Sequence, residues 1–350
     1  MKPRSAHLPA LTGLRFFLAL WVILHHLTGP GQELERSARL LPSPLFTLVR
    51  GGYMAVTTFF VLSGFVLTRS YAASLWNGGS LWRYGCARIA RVYPVYLLSL
   101  AIVSPFIAAD RTPGKTAYAT AHGLLVQAWL GPIPVNWNTP AWSLSCEMFF
   151  YLMFPLLAWL LVPRASWRVV GTAAIVACCL TRVLWAAGVS DDIKPLVHLS
   201  DFLMGIAAAC AFDLLQRWPR VPAGAWLYVP GVALAAALIA YAHWLPQPID
   251  LNSALRPVNA ILLIGLALGG GLGARFLSSP LLVYLGKASY AMYILHIPIL
   301  WWYLRWSHRF SPGLYVALVI AISALVYGWF EEPANRYLRS GLRGRSARQA

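Results

Sequence analysis

Acidic residues are scarce in this chain. Asp and Glu number 11 against 28 Lys and Arg, and charged residues of both signs make up only 11% of the 350 positions. A soluble globular domain carries about a quarter charged residues, so that class is excluded. Cysteine is sparse too: Cys86, Cys146, Cys178, Cys179 and Cys210 fall in or beside apolar runs without metal-ligand spacing. They read as packing residues, not as a disulfide framework or a metal site. No P-loop, zinc signature or dinucleotide fingerprint occurs, so the chain itself offers no ATP or metal chemistry. Nor does any linker, low-complexity tract or internal repeat mark a second domain.

Apolar sequence is what the chain has in excess. Hydrophobic residues make up 59% of it and its mean hydropathy is +0.62. Ten apolar runs predict an all-α, polytopic integral membrane protein. They lie at 11–29, 52–72, 92–109, 145–162, 168–187, 195–215, 224–244, 256–272, 281–303 and 312–330. Residues 116–130 are shorter and predict a re-entrant or surface helix. The net charge of +17 lies in short segments between the runs, so it speaks for topology and against a nucleic-acid partner. With an even number of spans both termini share one side. That side holds 17 basic residues, from Lys2 and Arg4 through Arg220 to Arg348, against ten opposite, with Arg15 at the border. The excess predicts cytoplasmic termini in an inner or plasma membrane. Lys2 and Arg4 precede the first run, but no small-x-small cleavage pattern follows it, so it is predicted to be a retained span. Residues 1–337 are expected to form one transmembrane domain, with 338–350 a short basic tail, disordered or lipid-facing.

The run LTGLRFFLALWVILHHLT, residues 11–28, carries the clearest site signal. Arg15 and His26 are eleven residues apart, so at about 100° per residue they share one helix face, about 16 Å apart along the axis. Ionisable groups inside a span are costly and normally face a bundle interior or a watery cavity. A cation near one surface and a proton-transfer group on the same stripe read as two ends of one channel. His25, off that stripe, reads as an interhelical hydrogen-bonding or interfacial group.

Arg88 and Arg91, just ahead of the third run, have the i, i+3 spacing of a fork for phosphate, and equally that of interfacial anchors. The stretch NTPAWSLSCEMFFY, residues 138–151, enters the fourth run from the outside. It puts Glu147, Phe150 and Tyr151 on one face, with Glu147 in the outer third of the bilayer. His26, about 21 Å from the cytoplasmic end of its run, and His296 reach a similar depth. Three ionisable groups at one level predict a catalytic cluster: an imidazole base, a carboxylate that orients it and a second histidine. The plainer reading of Glu147 is a structural ion pair. Ser63 lacks a G-x-S-x-G elbow, so Ser63–Gly64 reads as a small-residue site of close helix approach. Glu331, Glu332 and Pro333 are expected to stop the last span, their acids pairing with nearby arginines.

Together these motifs resemble the acyltransferase 3 family of integral membrane proteins. The family's Arg, ten residues, His pattern matches Arg15 and His26. Its G-x-x-x-V-x-x-F-F-V-L-S-G-F block matches GYMAVTTFFVLSGF from Gly52 to Phe65, and its R-x-x-R-x-x-P element matches Arg88, Arg91 and Pro94. The P-x-W-S-L-x-x-E-x-x-F-Y element matches Pro140 or the Ala141 beside it, then Trp142, Ser143, Leu144, Glu147, Phe150 and Tyr151. L-G-x-x-S-Y-x-x-Y-x-x-H-x-P matches Leu285 to Pro298, and an E-x-P ending matches Glu331 to Pro333. Phe16 departs from the pattern, standing where members often carry a small residue.

The resemblance implies a membrane O-acyltransferase. It would move an acyl group, commonly acetyl, from cytoplasmic acyl-CoA to a hydroxyl of an extracytoplasmic or lipid-linked carbohydrate. Acyl-CoA is then a co-substrate, with no tightly bound cofactor. Some members acylate small natural products instead, and some carry a fused extracytoplasmic domain, which is not expected here. On this reading Arg88 and Arg91, assisted by Arg15, hold the donor's phosphates, and the extended pantetheine arm spans Arg15 to His26. His26 deprotonates the acceptor hydroxyl while Glu147 orients the imidazole. Trp142, Ser143, Tyr151 and His296 are assigned to the acceptor. An acyl-histidine intermediate is a second route. The rival class is a transporter or flippase of an anionic or acylated solute, which spans with midplane charges also fit. It gives no reason for an arginine pair and a remote histidine at pantetheine spacing.

Overall fold

The computed structural model of the chain describes residues 8–29, 34–109, 111–131, 137–189, 192–218, 224–241, 251–307 and 309–346. Among these residues regular structure is helical throughout, with no strand. The principal helices are α1 (Pro9–Thr28), α2 (Met54–Leu67), α3 (Leu81–Ala109), α4 (Trp142–Leu161), α5 (Trp167–Ala186) and α6 (Leu199–Leu215). They continue with α7 (Ala225–Ala240), α8 (Leu251–Leu268), α9 (Pro280–Trp306), α10 (Pro312–Val326) and α11 (Glu332–Ser346).

Each of the ten apolar runs lies on a helix, residues 242–244 of the seventh falling outside the described residues. Eight helical segments are long and apolar enough to cross a bilayer, and the chain is a multi-pass membrane protein. By this measure the count among the described residues is eight, not ten. Helix α7 has 16 residues, too few to span unaided, and α9, at 27 residues, is made less apolar by Lys287, Ser289 and His296. Residues 116–130 form a nine-residue helix, Lys115–Gly123, and a 3₁₀ turn, Gln127–Trp129, both too short to span. Lys2, Arg4, Arg220 and Arg348, used for the topology, lie outside the described residues.

Two expectations at the C-terminus are corrected. Pro333 does not stop the last span, because α10 passes through a π-helical turn, Tyr327–Glu331, into α11. Proline cannot donate to the carbonyl four residues back and its ring crowds it; a π turn at that place absorbs both effects. The tail from 338, expected to be disordered or lipid-facing, is not disordered: it is helical through Ser346, and 347–350 lie outside the described residues.

The chain divides into two compact units. The first comprises Met1–Asn77, Met153–Val189 and Leu196–Lys287. Its centre is α6, in which 14 of 17 residues are buried. Small residues allow this packing: a Cβ at Gly64 would overlap the Phe202 carbonyl, and one at Gly205 the Val61 carbonyl. Ser63–Gly64 is thus a place of close helix approach, as its sequence suggested. Helix α1 packs antiparallel to α2. Gly52, just before α2, lies against the Trp21 carbonyl and His25, while Ala10 and Leu11 share a core with Val61, Leu62 and Phe65.

The second unit comprises Gly78–Leu152, Ser190–Pro195 and Ala288–Ala350. Its organising feature is a set of carbonyls that prolines leave without a helical donor. Pro155 frees the Tyr151 carbonyl, which accepts from Tyr84 Oη at 3.1 Å. Pro298 frees the Ile294 carbonyl, which accepts from Asn138 Nδ2 at 3.0 Å. Pro105 frees the Ala101 carbonyl, which accepts from Ser104 Oγ at 2.7 Å. The first two of these bonds tie α4 to α3 and the turn before α4 to α9.

Candidate active site

In the first unit the C-terminal end of α1 is pinned by side chains of its own last turns. Trp21 Nε1 donates to the Leu48 carbonyl at 2.8 Å, and His25 Nδ1 donates to the Arg50 carbonyl at 2.6 Å. The His25 ring also lies 5.5 Å from that of Tyr53. His25 is therefore the interhelical hydrogen-bonding residue of the pair. His26 follows with a different role open to it. Its Nδ1 lies 3.0 Å from the Val22 carbonyl. A carbonyl only accepts, so Nδ1 carries the hydrogen and Nε2 is the basic nitrogen. Arg15 and His26 are both half-buried on this helix.

In the second unit α3 begins at Leu81, so Arg88 and Arg91 sit two to three turns inside this 29-residue helix, ahead of its apolar stretch from residue 92. Arg91 forms an ion pair with Glu331, a carboxylate only 2% exposed, and its guanidinium lies 5.0 Å from the Tyr290 ring. Arg88 lies 5.7 Å from the Tyr151 ring. Tyr151 Oη donates to Glu147 Oε2 at 3.0 Å. Glu147 and Arg88, expected at different depths, thus both meet Tyr151. The acids of the last motif do pair with arginines: Glu331 with Arg91, and Glu332 with Arg336 at 2.8 Å.

The remaining expected residues also belong to this unit. Ser143 Oγ and Tyr293 Oη lie 2.8 Å apart, and Ser143 donates to the Pro140 carbonyl. Trp142 is covered by the Lys194 ammonium at 5.4 Å. His296 is fully buried, its Nδ1 on the Tyr293 carbonyl at 2.8 Å and its own carbonyl accepting from Tyr315 at 2.8 Å. The expected cluster of His26, Glu147 and His296 is not formed within either unit: His26 belongs to the first, Glu147 and His296 to the second.

Sequence reasoning missed one ionisable group of residues. Asp201 of α6 and Arg256 of α8 form a buried ion pair at 2.5 Å, and His198 Nδ1 lies 2.7 Å from the other oxygen of Asp201. The signal was present, since an Asp and an Arg inside apolar runs need partners. Their 55-residue separation hid the pairing. Among the described residues no group of His, Cys, Asp or Glu has metal-holding geometry.

The fold and these residues define a multi-pass, all-α membrane protein with an imidazole on one helix and arginine–carboxylate pairs on others. The chain belongs to the acyltransferase 3 family, its residues 8–330 matching the acyltransferase domain. It is 35% identical over 343 residues to acyltransferase MdmB of Streptomyces mycarofaciens, covering 89% of this chain and 83% of that protein. It is 22% identical over 366 residues to O-acetyltransferase OatA of Staphylococcus aureus, and 23% over 369 to peptidoglycan O-acetyltransferase OatA of Listeria monocytogenes. These alignments cover 94% of the chain but only 57% and 56% of the two OatA proteins. No solved structure matches the chain.

Proposed function

We propose that this acyltransferase moves an acetyl group from cytoplasmic acyl-CoA to a hydroxyl of an extracytoplasmic or lipid-linked glycan. The observation that carries the reading is His26, whose Nδ1 is engaged by the Val22 carbonyl so that Nε2 is the base. The glycan acceptor draws support from the peptidoglycan O-acetyltransferase among the relatives. Both termini are placed in the cytoplasm by the charge bias, which puts the Arg15 end of α1 on the donor side.

In the proposed reaction the acceptor oxygen attacks the thioester carbonyl while His26 Nε2 takes its proton. The C–S bond breaks, and the coenzyme A thiolate recovers that proton from His26. Arg15 and Arg88 attract the donor's phosphates. Arg91, already paired with Glu331, contributes field and holds α3 in place. Glu147 is assigned to fixing Tyr151 beneath Arg88, and Trp142, Ser143 and His296 to building the acceptor side. The test is coenzyme A release from acetyl-CoA by purified protein in liposomes, with a panel of acceptor glycans. Release that depends on one acceptor supports the reading. A carrier would move solute without releasing thiol, and that result would replace the proposal with a transporter.

A further inference from the structure

A cavity of about 240 Å³ lies in the first unit at the start of α1. Leu8, Pro9 and Ala10 form one wall, Leu266 and Ala267 of α8 a second, and Arg275 stands on a third. Arg275 belongs to a short helix, Gly271–Leu277, that lies against α1. A Cβ at Gly13 would overlap the Leu277 carbonyl, and the Phe276 and Phe17 rings are 6.1 Å apart. Ala10 and Leu266 are buried while Arg275 is exposed, so the cavity leads inward from a mouth that carries the guanidinium. Arg275 is the only ionisable residue of the lining, and the first turn of α1 holds no acidic side chain. An apolar recess with one cation at its mouth suits a ligand with a flat, weakly polar body and an anionic group.

The place of the cavity on the donor's route follows from the period of α1. Leu8 and Arg15 are seven residues apart, and Arg15 and His26 eleven, so at about 100° per residue all three share one face. The cavity therefore continues the stripe of Arg15 and His26, two turns or about 10 Å beyond Arg15 on the side away from His26. In coenzyme A the parts follow in a fixed order: thiol, pantetheine arm, diphosphate, then the ribose with its 3′-phosphate and adenine. With the thioester at His26 and the diphosphate at Arg15, the adenosine end falls at the level of the cavity. The volume, below the about 300–1,000 Å³ of a pocket for a drug-sized ligand, suits a base with part of its ribose and not the whole donor.

We infer that this cavity takes the adenine of acyl-CoA and that Arg275 binds the ribose 3′-phosphate. The inference rests on the acyl-CoA reading above. The experiment measures KM in phosphatidylcholine vesicles for three donors: acetyl-CoA, acetyl-dephospho-coenzyme A, which lacks the 3′-phosphate, and acetyl-4′-phosphopantetheine, which lacks the nucleoside. Arg275→Gln should raise the KM for acetyl-CoA about tenfold, the effect of one hydrogen bond to a charged group, and should add little with either shortened donor. Ala267→Phe, which fills the cavity, should raise the KM for both adenine-containing donors and leave that for acetyl-4′-phosphopantetheine near wild type. An unchanged KM in Arg275→Gln, or an equal rise with all three donors, would overturn the inference. So would an effect of Arg275→Gln that appears only after phosphatidylglycerol is added to the vesicles, since the cavity would then serve a lipid headgroup. Wild type that neither turns over acetyl-CoA nor binds coenzyme A would overturn the donor reading itself, a result distinct from the others.

Discussion

Arg91 of α3 is paired with Glu331 of the π-helical turn, a carboxylate almost wholly removed from solvent. Removing one partner of such a pair leaves an uncompensated buried charge, which costs about 3 kcal/mol or more. Arg91→Ala and Glu331→Ala should each lower the thermal unfolding midpoint in detergent, and Arg91→Met with Glu331→Met should restore much of it. Arg88→Ala should leave the midpoint close to wild type and raise the KM for acetyl-CoA. Matching stability losses at positions 88 and 91 would contradict this division between them.

The bond from Tyr84 to the Tyr151 carbonyl predicts an uncommon rescue. Tyr84→Phe leaves that carbonyl with no donor, at a cost of about 1–3 kcal/mol. Pro155→Ala restores the helical N–H four residues on, so the double variant should regain most of the lost stability. Unfolding midpoints of the four proteins check this. A double variant no better than Tyr84→Phe would mean that the bond carries little.

Gly52 is the contact through which the segment before α2 reaches α1 beside the histidines. A methyl group there overlaps the Trp21 carbonyl and crowds His25. Gly52→Ala should lower acetyl transfer about tenfold or more by moving His26 from its working position, with a smaller effect on folding. Thiol release and thermal unfolding on the same preparation separate the two.

The architecture was legible in the sequence because it depends on local quantities. Ten apolar runs appear as helices, and the small residues at Gly52 and Gly64 mark places where helices touch. Sites made by distant partners were less legible. The spacing of Arg88 and Arg91 was visible, but their neighbours Tyr151 and Glu331, distant in sequence, were not. Glu147 was read from its depth as a partner of His26, and its hydrogen bond with Tyr151, four residues along its own helix, was not foreseen. Asp201 and Arg256 were overlooked for a related reason. Each is a single charge in an apolar run, and only α5, α6 and α8 brought together make them a site. Pro155 and Pro298 did carry a usable signal, since each names the carbonyl that some other side chain must satisfy.

The account turns on His26 as the base. The most direct test measures acetyl-CoA binding and acceptor-dependent thiol release on the same liposome preparation, wild type beside His26→Ala. Loss of a general base predicts a fall in release of about a hundredfold or more with binding nearly unchanged. Release that survives in His26→Ala, or binding that disappears together with turnover, would contradict it.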